Sequence, residues 1–180
     1  QPLLLPAALP AALGLSAQTI RTNYRSEGMT HISTQSEKTG DLDVRVELVG
    51  FPDGSAMYQL FIDIRQKTAF SAPKGVKMTA PLPSGSVVRA DQIGRESATK
   101  GRLEDGTFLN RLRYALEPED MEKMTRGVQS LEIVTGWNPD DYLQYNFKDD
   151  AFSSLLKRHC EAIDKAKKST IDLTAEPAGR

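Results

Sequence analysis

The sequence predicts an α+β domain: a mostly antiparallel sheet of about six to eight strands built from hairpins, one short helix over 118–126 and a long C-terminal helix over 150–167 packed on a sheet face. Three observations carry this. Apolar and polar residues alternate through most of 41–147, the period-2 signature of half-buried strands. The connections between these runs are short and rich in Pro, Gly and Asp, whereas a parallel crossover takes about a dozen residues. After Asp150 the period changes to that of a helix.

The first clear strand is 44–48, where Val44, Val46 and Leu48 alternate with Arg45 and Glu47. Phe51-Pro52-Asp53-Gly54-Ser55 turns the chain: Pro presets its own φ and Gly accepts a positive one. Residues 57–64 return as a strand, with Tyr58, Leu60, Ile62 and Ile64 on one face, and complete the strongest hairpin signal in the chain. A third run has Val76, Met78, Ala80 and Leu82 on one face. Pro81 lies inside it and cannot donate to a ladder, which predicts an edge strand. Pro83-Ser84-Gly85-Ser86 turns into a strand over 87–93, and 94–106 is a charged, polar loop or hairpin tip. Residues 108–116 alternate again.

Pro118 suits the first position of the short helix, Glu119 and Asp120 its positive end, and Gly127 its stop. Met121 and Met124 share a face and read as gap-filling core. Strands over 131–135 and 142–147 follow, joined by Gly136-Trp137-Asn138-Pro139-Asp140-Asp141. In the last helix, capped by Asp149 or Asp150, Phe152, Leu155, Leu156, His159, Cys160 and Ile163 form one apolar stripe.

The chain divides into 1–17, an export-signal-like segment; 18–40, a polar segment with one edge strand around 29–35; 41–168, the single α+β domain; and 169–180, a flexible tail. Residues 3–15 carry no charge and are too short to span a bilayer, which takes about 20 apolar residues. The run ends in Leu15-Ser16-Ala17 before Gln18, the pattern of a signal-peptidase site, so the mature chain is expected outside the cytoplasm.

Composition narrows the function classes. The 180 residues include 23 basic and 24 acidic side chains and are 39% hydrophobic, which excludes a wholly disordered chain and a polytopic membrane protein. A net charge of -1 argues against a dedicated nucleic-acid binder. One cysteine excludes an internal disulfide framework and a multi-cysteine zinc site. Charge is uneven: 37–64 holds six acidic and two basic residues, and 65–126 twelve basic and eight acidic.

Pro73-Lys74-Gly75-Val76-Lys77-Met78, Pro83-Ser84-Gly85, the Tyr-Ala-Leu strand end, the Glu-Pro-Glu-Asp-Met-Glu-Lys-Met helix and the Gly-Val-Gln-Ser-Leu-Glu-Ile-Val strand resemble small secreted or periplasmic α+β domains of unknown function from Bacteroidetes-type bacteria. The Leu-Ser-Ala-Gln junction is similar to theirs, and the resemblance covers about 40–165. It implies export and an α+β fold. It carries no catalytic residues across.

The candidate chemistry is thin. His159 and Cys160 are adjacent on a helix and do not face each other, so the imidazole cannot activate the thiol. His31 is the only other histidine, and no metal-ligand spacing accompanies either. The acidic pairs Asp41/Asp43, Asp140/Asp141 and Asp149/Asp150 fall short of a calcium loop. No nucleophile elbow, phosphate loop or zinc-protease motif occurs. Trp137, Asn138, Asp140, Asp141 and Tyr142 form the one candidate binding surface. A tryptophan in such a turn more commonly folds onto the core; exposed, it would suit a peptide, a sugar or a basic partner.

The sequence therefore points to a secreted or periplasmic, non-enzymatic binding domain for an unknown protein or small ligand of the cell envelope. It implies no cofactor, no metal, no nucleic acid and no transmembrane span in the mature chain. Two alternatives stand beside it. One is a hydrolase with a dispersed carboxylate and His31 site. The other is a structural module that forms a homodimer through the strand at Pro81 or the acidic hairpin.

Overall fold

The alternation in the middle of the chain becomes the centre of a sheet. Strands β4 (Leu42–Gly50) and β5 (Ala56–Gln66) pair antiparallel in unbroken register from Leu42↔Ile64 to Gly50↔Ala56. The turn between them closes as its residues dictate. Gly54 adopts φ 87°, and Asp53 Oδ1 accepts the Ser55 N–H at 2.9 Å. The computed structural model from which this is read describes residues 18–70, 75, 77–93, 102–138 and 140–173. The export-like segment, parts of the Pro73 and 94–106 loops, Pro139 and the end of the tail lie outside them.

On one side of β5 follow β8 (Phe108–Leu116), β7 (Val87–Gln92), β6 (Lys77–Pro81), β9 (Ser130–Val134) and β10 (Tyr142–Asn146). On the other side of β4 lie β2 (Met29–Thr34), β1 (Ile20–Ser26) and β11 (Ile171–Asp172), while β3 (Glu37–Thr39) pairs with the first half of β4. Every pairing is antiparallel except β1 with β11.

One face of this sheet is apolar. Val44, Val46, Leu60, Ile62, Ile64 and Leu112 are all at most 1% exposed. Helix α2 (Ala151–Ala166) lays Phe152, Leu155, Leu156 and Ile163 over β1 to β4, and α1 (Pro118–Arg126) adds Met121 and Met124 against β5, β7 and α2. The sheet coils around this core, bringing Tyr145 of β10 next to Gln66 at the end of β5. No helix among the described residues is long and apolar enough to cross a membrane.

Five expectations change. The sheet has eleven strands, not six to eight. The polar segment adds β1 and β3 to the strand expected around 29–35, which is β2 and lies between β1 and β4 rather than at an edge, and the tail supplies β11. The added strands are short or only half-buried, so the alternation that marks a strand is faint in them. Strand β6 is interior, between β7 and β9. Pro81 is tolerated because it ends the strand: β9 pairs only with Met78 and Thr79, and the Pro81 carbonyl accepts the Gln129 N–H at 3.3 Å. Asp150 occupies the N-cap position of α2 without a side-chain cap bond. Gly127 ends α1 in extended backbone, φ 166°, not in a left-handed cap. Close packing requires this glycine, since a Cβ there would lie 2.9 Å from Pro83 Cγ.

Two bulges interrupt the β1–β2–β4 region. The β1–β2 register slips between Ile20 and Thr22, leaving Arg21 as the extra residue. Between β2 and β3 the pairing runs from Ser33↔Glu47 to Glu37↔Val44, so three residues oppose two. Thr34 repairs the second break. Its Oγ1 accepts the Val46 N–H at 3.1 Å and lies 3.1 Å from the Val46 carbonyl.

Candidate functional site

Trp137 is 76% exposed and Tyr142 49% exposed. The indole thus takes the less common course, standing in solvent rather than folding back on the core. The turn that holds it is well tied. The Thr135 N–H and hydroxyl both donate to the Asp141 carbonyl, at 2.7 and 3.0 Å. The Asp140 N–H donates to Asn138 Oδ1 at 3.1 Å, and the Asp141 N–H to the Asn138 carbonyl at 2.9 Å. Gly136 packs closely here too: a Cβ would lie 2.8 Å from Asp141 Oδ2 and 3.2 Å from its Cβ, so the Asp141 side chain would have to shift. The structure therefore brings Trp137, Asn138, Asp140, Asp141 and Tyr142 together on one turn, with both carboxylates exposed.

This turn opens onto a sheet edge that no strand among the described residues pairs with, because β10 ends the strand order. The Thr135 N–H to Asp141 carbonyl bond and the Phe147 N–H to Gln129 carbonyl bond fix the phase of the β9–β10 ladder. Residues 141, 143, 145 and 147 turn their backbone groups to β9, so Tyr142, Gln144 and Asn146 point theirs outward. Sheets usually protect such an edge with a charge or a proline. Tyr142-Leu143-Gln144-Tyr145-Asn146 has neither.

The helix stripe is packed as its period requires, and His159 and Cys160 diverge. His159 is fully buried beneath the second bulge, with Nδ1 2.6 Å from Thr34 Oγ1 and Nε2 3.6 Å from Glu37 Oε2. A proton on Nε2 is attracted by the Glu37 carboxylate, so Nδ1 is the nitrogen that accepts from Thr34. Burial holds the imidazole neutral and pushes its pKa down to about 4, Glu37 opposing and Arg158 adding to the shift. Arg158 also reaches Glu37. Cys160 is half-buried in the groove between α1 and α2, beside Tyr58 and Met121. Burial, and then Asp164, push its thiol up to about 12, the opposite of what a nucleophile needs.

His31 projects from the other face of the sheet. It stacks on Tyr24 with centroids 5.1 Å apart and bonds Glu47 through Nδ1 at 3.2 Å. The helix-side thiol is beyond its reach. Among the described residues, no group of three or more His, Cys, Asp or Glu is placed to hold a metal ion. Asp149 has φ 51°, a conformation Asp tolerates in a turn.

Sequence reasoning missed the charged outer face of the sheet, where Arg45, Phe61 and Arg113 align across β4, β5 and β8, with Asp43, Asp63 and Arg111 in the next row. The signal lay in the polar positions of each strand. Aligning them needs the register between β5 and β8, between whose bounds, Gln66 and Phe108, lie 41 residues. No known protein family, curated protein or solved structure matches this chain.

Proposed function

We propose that the chain is a non-enzymatic binding domain that works outside the cytoplasm and adds an extended, basic peptide segment to the free edge of β10. The observation that carries this is the exposed Trp137 and Tyr142 beside an uncharged, proline-free edge whose backbone groups at Tyr142, Gln144 and Asn146 face outward. Backbone bonding along such an edge supplies affinity, and side chains at its end supply selectivity. An exposed indole offers a large flat apolar surface at low entropic cost, as interface aromatics do.

Charge selects the partner's sign. Asp140, Asp141, Asp149 and Asp150 flank β10 with Lys148 as the only nearby cation among exposed neighbours in the chain. Two such edges facing one another in a homodimer would bring net negative charge together, whereas a basic segment meets its complement. Export is supported by the apolar run before Ala17 and by the character of Cys160, a shielded, protonated thiol that suits an oxidising compartment.

The hydrolase alternative finds less support. The carboxylates of Asp43 and Asp63 share one cavity, but each is held by a cation, Lys38 at 3.5 Å and Arg111 at 3.1 Å. No imidazole or thiol lines that cavity.

A display library of extended decapeptides tests the proposal. The full chain should select sequences rich in Lys or Arg alternating with apolar residues. Binding of these should fall at least about tenfold in Trp137→Ala and in the Asp140→Asn, Asp141→Asn double variant. A library that yields no binder, or binders indifferent to both variants, contradicts it. So does light scattering that shows a dimer abolished by Gln144→Pro, which would assign the edge to a second copy.

A further inference from the structure

The geometry points to a second site, on the outer face of the sheet, for the tetrahedral oxyanion of a phosphate or sulfate monoester, held between Arg21, Arg45 and Arg113. It is independent of the β10 edge. Arg45, Phe61 and Arg113 are directly opposite one another across β4, β5 and β8. Both guanidinium groups converge on the one ring, Arg45 at 3.7 Å and Arg113 at 6.0 Å from its centroid. Arg21, the extra residue of the first bulge, comes to the same cavity, of about 210 Å³. Bulges re-aim single side chains in this way, often beside functional sites.

Among the described residues the local charges do not balance. The acidic groups are already engaged: Asp43 by Lys38, Asp63 by Arg111 at 3.1 Å, and Glu47 by Arg45 at 3.6 Å and His31 at 3.2 Å. Among the described residues Arg113 donates to the Ile93 carbonyl alone, at 3.4 Å. No carboxylate among the described residues lies within ion-pair distance of Arg113 or Arg21. Cations gathered in a partly desolvated cavity repel one another. Burial lowers the Arg45 pKa; Glu47 and Asp63 oppose the shift, and Arg21 and Arg111 add to it. An anion among the arginines reverses the sign of that interaction.

Shape narrows the class. A planar carboxylate is satisfied by one guanidinium fork. Arginines arriving from three separate strands, β1, β4 and β8, suit the three terminal oxygens of a tetrahedral ester. The cavity is smaller than the roughly 300–1,000 Å³ of drug-sized sites, so it takes a charged head group and leaves the rest of the ligand outside.

Titration of the full chain with phenyl phosphate, phenyl sulfate and benzoate, followed by amide chemical shifts at low ionic strength, tests this. One or both esters should bind saturably, with shifts centred on Arg45, Phe61 and Arg113, and at least about tenfold more tightly than benzoate. The preferred ester identifies the source, phosphate or sulfate. Arg21→Gln and Arg113→Gln should each weaken binding about tenfold or more, Arg113→Lys should recover part of it, and Arg126→Gln on α1 should leave it unchanged. Non-saturable shifts, benzoate binding as tight as that of the esters, or full affinity in Arg21→Gln and Arg113→Gln would overturn the assignment. Arg21 is exposed and makes no ion pair among the described residues, so its variant keeps the test valid should Arg113→Gln fail to fold.

Discussion

Acid should weaken this fold through one histidine, by an amount set by its burial. His159 has no exposed surface, and its pKa in the folded chain is about 4 against an ordinary 6.5. The unfolded chain therefore binds the proton first as pH falls. The contribution is fully present above pH 6.5, is lost between 6.5 and 4, and the loss then levels off. Between pH 7.5 and 4.5 linkage of these two values removes about 2.5 kcal/mol. Carboxylates titrate near the lower limit as well, so the comparison is between the wild-type chain and His159→Gln. Urea denaturation at both pH values reads it. At pH 7.5 the variant should be the less stable, since the bond to Thr34 and the packing are lost. At pH 4.5 that difference should shrink by about 2.5 kcal/mol or reverse. Equal pH dependence in the two proteins would refute the reasoning, because it would mean that His159 titrates alike folded and unfolded.

Other outcomes follow from the same contacts. Thr34→Val should cost about 2–4 kcal/mol in denaturant unfolding, since it strands the Val46 N–H and His159 Nδ1 beneath the bulge. Gly127→Ala should destabilise by about 1–3 kcal/mol through the collision with Pro83, whereas Ala at Gly85, φ 87° with open space around it, should cost only about 1 kcal/mol of backbone strain. Cys160 should react with a thiol reagent at pH 8 roughly a thousandfold more slowly in the native chain than in urea, because thiolate at a pKa of about 12 is that much scarcer than at the ordinary 9.0. Rapid native labelling would show that the groove between α1 and α2 opens.

The parts of the fold legible in the sequence are those where burial is one-sided. Val44 to Leu48, Tyr58 to Ile64 and the stripe from Phe152 to Ile163 each show their buried face as a clear period, and all three elements are present. Strand β2 falls where a strand was expected around 29–35, but β1 and β3 escaped because their side chains are half-covered or exposed on both faces, so no period separates inside from outside. Pro81 misled in a different way. A proline forbids a ladder bond at its own residue, but two neighbouring residues sufficed to pair β6 with β9. At the candidate site, the residue types in the Trp137 turn were visible, but the orientation of the indole was not. Orientation depends on Gly136, Asn138 and Thr135 closing the turn. The arginine face was invisible for a topological reason: it exists only once β4, β5 and β8 are in register.

The most direct test of the proposed peptide edge is the emission of Trp137, the chain's only tryptophan. In the free protein its fluorescence should be that of a water-exposed indole, open to acrylamide. Saturation with a selected basic peptide should shift it to the blue, shield it from the quencher, and slow amide exchange at Tyr142, Gln144 and Asn146. Blue, quencher-resistant emission from the free chain, or a bound peptide that leaves both the indole and those three amides unchanged, would contradict the account.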